Sequence, residues 1–217
     1  MTDLPILYSF RRCPYAMRAR MALAASGAEV MLREVLLQDK PPELVAASPK
    51  ATVPVLVLSD GQVVEESLDV MQWALEHGDP LGWLEGAALD SEWISECDEG
   101  FKHWLDRYKY AERYPEHTAE DCRHNAEGFI QRLEDQLSVS GWMGGGAANA
   151  VDVALFPFIR QFAGVDVAWW QETPYAFTQQ WLARWVDSAL FSTIMAKYPR
   201  WESGQTGQRF PSEAPNT

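Results

Sequence analysis

The residues with the most chemistry in this chain stand close to its start. Cys13-Pro14 follows a short apolar run, residues 4–9, and two arginines, Arg11 and Arg12. Proline suits the first helical position, where its missing N–H costs nothing, so Cys13 falls at the N-cap of a helix. The thiolate, not the thiol, is the nucleophilic form of cysteine. A helix N-terminus offers free N–H groups and partial positive charge, and the two arginines add full charges. All of these favour an anionic sulfur with a depressed pKa, and so a reactive cysteine rather than one that fills space. Tyr8 and Ser9, near the end of the apolar run, are the alternative hydroxyls for such a site, but strand packing accounts for them and Cys13 holds the better position.

Other candidates carry less. Gly144-Gly145-Gly146 has no Gly-Lys-Ser/Thr after it, so it reads as a flexible loop and not a phosphate cradle. His117, Asp121 and His124 fall at helical spacing, but no fourth ligand accompanies them, and an exposed polar face explains them; no metal site is expected. Cys97 and Cys122 lie in helical stretches and read as inert. The aromatic stripe Trp93, Phe101, Trp104 and Tyr108 is core by composition. Its later end, at Tyr108, is a candidate wall of an acceptor pocket, together with Phe10 beside the cysteine.

The elements that must hold Cys13 follow from pattern. Residues 4–9 have strand length, and a helix runs from Pro14 to a stop at Gly27. Val30–Val35 reads as a second strand, Val53–Leu58 as a third and Val63–Val64 as a fourth. A tight turn at Ser59-Asp60-Gly61-Gln62 joins the last two. Ser67–Glu76 then forms a helix. After Pro80 the strand signals end and helical spacing takes over, with Asn149 and Asp152 placed as a capping box. The expectation is an α/β domain over residues 1–78, an all-α domain over 88–200, and a loosely ordered tail over 201–217.

Composition sets outer limits. The chain has 217 residues, 47% hydrophobic and 23% charged, and a net charge of −13. Disorder, collagen-like repeats and disulfide scaffolds are excluded. Such acidity argues against nucleic acid and anionic membranes as partners. Three cysteines are too few for a secreted framework. With neither a long apolar run nor a signal pattern, a cytoplasmic protein is expected. The charge is uneven, however: four arginines (11, 12, 18 and 20) face only Asp3 within residues 1–20. Arg18 and Arg20, a turn or more into the helix, read as solvated or paired.

Cys13-Pro14-Tyr15-Ala16 resembles the active-site motif of glutaredoxins and of cysteine-type, omega-like glutathione S-transferases. Lys40-Pro41, Thr52-Val53-Pro54-Val55 and Glu66-Ser67 match further motifs of that family in order, and the helical half is similar too. The resemblance implies the glutathione transferase fold: a thioredoxin-like N-terminal domain and an all-helical C-terminal one. It implies glutathione as co-substrate, with Lys40 at the glycyl carboxylate and Asp39 weakening that attraction if it faces the site. It places the Val53 backbone along the cysteinyl part, before a structural cis-proline, Pro54. Glu66 is placed at the ammonium, Ser67 at the γ-glutamyl carboxylate, and Tyr15 in the same site. Ala16 stands where two-cysteine glutaredoxins have a second thiol, so a single sulfur would work with external glutathione.

The activity so implied is glutathione-dependent thiol transfer or reduction through a mixed disulfide on Cys13, by a homodimer. Two alternatives stay open. One is conjugation of glutathione to an apolar electrophile. The other is a non-catalytic partner-binding protein of the stringent starvation protein A kind, although such proteins lack the cysteine that this chain keeps.

Overall fold

Strand β1 (Ile6–Ser9) sits at the centre of a sheet and is buried over Leu7–Ser9. It pairs in parallel with β2 (Val30–Glu34), Ile6 opposite Met31. A parallel pair needs a crossover, and α1 (Pro14–Ser26) supplies it, ending at Gly27 in the left-handed conformation with φ 76°. On its other edge β1 pairs antiparallel with β3 (Val55–Val57), Tyr8 opposite Val55. β3 turns through Asp60, whose side chain accepts the Gln62 N–H at 2.9 Å, into β4 (Val63–Val64). The helices α2 (Pro42–Ala47) and α3 (Ser67–His77) precede and follow this hairpin. The computed structural model describes residues 4–211.

One element departs from the sequence expectation. The tail expected to be loose over 201–217 carries a fifth strand, β5 (Gln208–Phe210), which pairs antiparallel with β2, Val30 opposite Phe210. Among the described residues the sheet order is β4-β3-β1-β2-β5. Trp201 is buried as well; its ring meets Tyr8 edge-on at 6.0 Å and its backbone N–H donates to the Glu34 carbonyl at 2.8 Å. Residues 212–217 of that expected tail lie outside the described residues.

The chain divides into two compact units. One joins the residues up to Leu81 with those from Ser188 onward; the other is Gly82–Asp187. The expected helical domain, 88–200, therefore loses its last part: helix α10 (Ala189–Ile194; α4–α9 belong to the second unit, below) goes with the sheet. Helix α10 packs against α1, and the Arg20 Nε on α1 donates to the Ile194 carbonyl at 3.1 Å.

The second unit is helical: α4 (Glu92–Glu96), α5 (Lys102–Lys109), α6 (Ala119–Ser140), α7 (Ala150–Ala163), α8 (Val167–Glu172) and α9 (Ala176–Val186). A π-helical turn over Cys97–Phe101 joins α4 to α5. Its core is aromatic, with Phe156, Phe158, Phe162 and Trp181 fully buried. The capping box at Asn149 and Asp152 opens α7. The Asp152 carboxylate also accepts the Met143 N–H at 2.9 Å, the Gly144 N–H at 3.2 Å and the Trp181 indole N–H at 2.7 Å. A Cβ on Gly144 would lie 2.5 Å from the Ala147 carbonyl, so this triple-glycine loop needs glycine there to close on the carboxylate.

Burial pushes the Asp152 pKa up while its four donors pull the other way. Asp152→Asn keeps the shape but turns an N–H group toward backbone donors. It is expected to cost the second unit about 2–3 kcal/mol, read by urea unfolding followed through tryptophan fluorescence. A loss near zero would contradict this role. Among the described residues, no helix is long and apolar enough to cross a membrane, and no three His, Cys, Asp or Glu side chains converge as metal ligands. His117 precedes Thr118, the N-cap of α6, so it lies off the helix that carries Asp121 and His124.

Candidate active site

Cys13 is the N-cap of α1, extended at φ −73° and ψ 125°, with Pro14 as the first helical residue. Its thiol does not cap its own helix. It points instead to the Val53 carbonyl, 3.6 Å from Sγ and 40 residues away in sequence. The Val53–Pro54 peptide is cis. Ala51, just ahead, is in the left-handed region at φ 50°, a conformation that L-residues with a Cβ seldom adopt, and it turns the chain from α2 toward Val53. Below this junction Tyr8, Ala16, Val35, Leu44, Val53, Val55 and Trp201 form a buried cluster, with Phe10 and Cys13 packed on its edge. The sulfur is half-buried, its back to an apolar core.

The loop from Ser9 to Cys13 is held from beneath by Arg20, which of the two expected alternatives, solvated or paired, is the paired one, buried and fully engaged. Its guanidinium donates to the Ser9 hydroxyl, to the Phe10 carbonyl at 3.3 Å and to the Arg11 carbonyl at 2.6 Å. The amide of Arg11 donates to the Glu34 carboxylate at 2.7 Å. Burial pulls the Arg20 pKa down to about 10, against the opposing pull of the Glu34 and Cys13 charges, so the group stays cationic at neutral pH. Burial likewise pushes the Glu34 carboxyl up, opposed by the Arg11 amide and the charges of Arg20 and Arg11. Arg18 is also fully buried, its guanidinium 5.4 Å from the Tyr15 ring centre.

The hydroxyls set aside in favour of Cys13 are engaged elsewhere. Tyr8 is buried, and its oxygen takes a hydrogen bond from Arg33 at 2.6 Å. Ser9 is fully buried under Arg20. Cys97 and Cys122 are buried in the helical unit, and burial pushes the Cys122 thiol up.

The family model for the glutathione S-transferase N-terminal domain matches residues 7–81. Glutathione S-transferase omega-1 of Sus scrofa is 38% identical over 170 residues, which span 74% of this chain and 68% of that protein. The chain belongs to the glutathione S-transferase family. Glutathione S-transferase U22 of Arabidopsis thaliana is 28% identical over 171 residues, 75% of each chain. Among solved structures, the glutathione transferase URE2P6 from Phanerochaete chrysosporium, in complex with oxidized glutathione, shares the fold. It gives a TM-score of 0.74 at 17% identity, over 88% of this chain and 94% of that one.

In this glutathione S-transferase the expected site residues are placed unevenly. Cys13, Val53 and Pro54 come together. Glu66 is the N-cap of α3, and Ser67, its first residue, is buried. Glu66 is also paired at 2.7 Å with Lys50, a residue the sequence reading passed over, because its only signal was a lysine two positions before Thr52. The hydrogen bond and charge of Glu66 raise the Lys50 pKa. Lys40 is exposed, and the Asp39 before it pairs with Arg200. Phe10 is half-buried beneath the Arg12 guanidinium, 5.5 Å from the ring centre. Tyr108, the other expected pocket wall, is buried in the second unit with its ring 5.5 Å from Phe162. Burial pushes its phenol up, countered by Arg123.

Proposed function

We propose that this chain is a cysteine-type, omega-like glutathione transferase acting as a thiol transferase or reductase through Cys13. The observation that carries the reading is the Cys13 sulfur at the N-cap of α1, 3.6 Å from the carbonyl ahead of cis-Pro54. A thiolate there gains from the helix N-terminus and from the buried charge of Arg20. An extended tripeptide laid along Val53 would meet that sulfur, as a strand adds to a sheet edge. The N-terminus of α3 at Ser67 suits a carboxylate. Glu66 answers the ammonium, on exchanging its bond to Lys50. Lys40 reaches the far carboxylate as a flexible point charge, and Asp39, engaged with Arg200, competes with it less.

The reaction has two exchanges. The Cys13 thiolate attacks the glutathionyl sulfur of a mixed disulfide, forming a Cys13–glutathione disulfide and releasing the substrate's thiolate. A second glutathione thiolate then attacks the glutathionyl sulfur on Cys13, frees Cys13 and leaves as oxidised glutathione. The net exchange consumes one free glutathione thiol and the mixed disulfide and yields oxidised glutathione and the substrate's free thiol, so one disulfide replaces another and no other reductant is required. A homodimer is the assembly that goes with this reading.

The test compares two acceptors. A glutathione mixed disulfide should be reduced, and that activity should vanish in Cys13→Ser. A chlorinated nitroarene conjugated equally well by wild type and Cys13→Ser, with no disulfide reduction by either, would favour simple conjugation. Retention on immobilised glutathione separates both from a partner-binding role. Ser67→Ala should raise the KM for glutathione about tenfold with kcat little changed, since one hydrogen bond to a charged group is worth about 1.5–3 kcal/mol. An unchanged KM would remove Ser67 from the site.

A further inference from the structure

The loop that ends at Cys13 also walls a second opening, a depression of about 320 Å³ within the first unit. Three stretches of chain meet there: Phe10–Arg12, the end of β2 at Glu34–Leu36, and the segment after α10 at Lys197, Tyr198 and Arg200. The third is fixed by backbone: Trp201 donates to the Glu34 carbonyl at 2.8 Å, and Arg200 bridges to Glu34. So Arg11, Arg12, Lys197 and Arg200 surround one small volume in a chain of net charge −13.

The charges do not cancel. Arg200 is satisfied by Asp39. The Glu34 carboxylate already accepts the Arg11 amide and faces the charge of Arg20. Among the described residues, no carboxylate forms a salt bridge with Arg12 or Lys197. The Tyr198 hydroxyl is enclosed in the same wall without a hydrogen-bond partner. The volume falls at the lower end of small-molecule pockets.

We propose that this depression holds the carboxylate of the second substrate, so that the disulfides Cys13 reduces best are those of glutathione with acidic thiols. This deepens the thiol-transfer reading and rests on it. Glutathione occupies the Val53 side of the sulfur, and the departing thiol lies over Phe10 with its carboxylate between Arg12 and Lys197. The bonds made and broken are those given above; the pocket alters only which leaving thiolate is bound best.

The experiment uses two matched acceptors, the glutathione mixed disulfides of 3-mercaptopropionate and of 2-mercaptoethanol. They share every group except carboxylate against hydroxyl. Wild type should prefer the carboxylate, and Lys197→Glu should lower the ratio of the two kcat/KM values about tenfold, in line with a charge reversal near a partly screened site. Added salt should erode the wild-type preference. A ratio that is unity in wild type, or unmoved by Lys197→Glu, overturns the proposal while leaving thiol transfer intact. Calorimetric titration of both disulfides into Cys13→Ser reads the pocket without turnover. Tighter binding of the carboxylate, weakened by adding Lys197→Glu, supports the pocket even if neither disulfide is turned over, which would sink the thiol-transfer reading alone. Equal binding of both disulfides overturns the pocket.

Discussion

Cys13→Ala is expected to lower glutathione-dependent reduction of a mixed disulfide by at least about a thousandfold, because a covalent nucleophile has no substitute once removed. The structure narrows the replacements. The nearest hydroxyl on the loop, Ser9, is fully buried and bonded to Arg20, and Tyr8 is held in the core by Arg33. Ala16 packs in the apolar cluster and presents no second sulfur. Cys97 and Cys122 are fully buried. The loss should fall on kcat and on kcat/KM together, since the missing group forms the bond itself. Glutathione should still bind through Ser67 and the Val53 backbone. A rate within tenfold of wild type would mean that another group carries the chemistry.

The second large effect is expected at Arg20. Its guanidinium satisfies the carbonyls of Phe10, Arg11 and Ile194 and the hydroxyl of Ser9 at once. Arg20→Met fills a similar volume but takes this donor from the Ser9 hydroxyl and the Arg11 and Ile194 carbonyls, leaves the Phe10 carbonyl with only the Cys13 N–H, and leaves Glu34 with the Arg11 charge alone. Removing one member of such a buried set costs about 3–5 kcal/mol, a large share of the roughly 5–15 kcal/mol that holds a domain. Urea unfolding should show it directly. Hydrogen exchange should rise at residues 9–13 and at α10, the two segments that Arg20 ties together. Arg20→Lys keeps the charge and loses the fork, so it should fall between. A variant Arg20→Met as stable as wild type would contradict the clamp.

What the sequence showed and what it hid divide along one physical line. Local signals were readable: Pro14 starts α1, Gly27 ends it in a left-handed conformation, and the side chains of Asn149 and Asp152 cap α7. Each acts within a few residues. The features that escaped are non-local. Gln208–Phe210 is too short to read as a strand, and only Phe210 is buried; its pairing with β2 decides its form. Arg20 could be read only as solvated or paired, because arginines are rarely buried unless paired, and its partners include a carbonyl 174 residues away. Lys50 reaches Glu66 across 16 residues. Pro54 drew notice through resemblance to a family, since nothing within Val53-Pro54 marks a cis bond. Around Cys13, its place at the helix N-cap was therefore legible, while the clamp beneath it and the basic depression beside it were not.

The central claim is that one thiol of three is poised for exchange with glutathione. Intact-protein and peptide mass spectrometry after treatment with oxidised glutathione tests it most directly. One glutathione should add, on Cys13, with Cys97 and Cys122 unmodified, and the adduct should disappear on adding reduced glutathione. An adduct on Cys97 or Cys122 with Cys13 left bare, or no adduct at all, would contradict it.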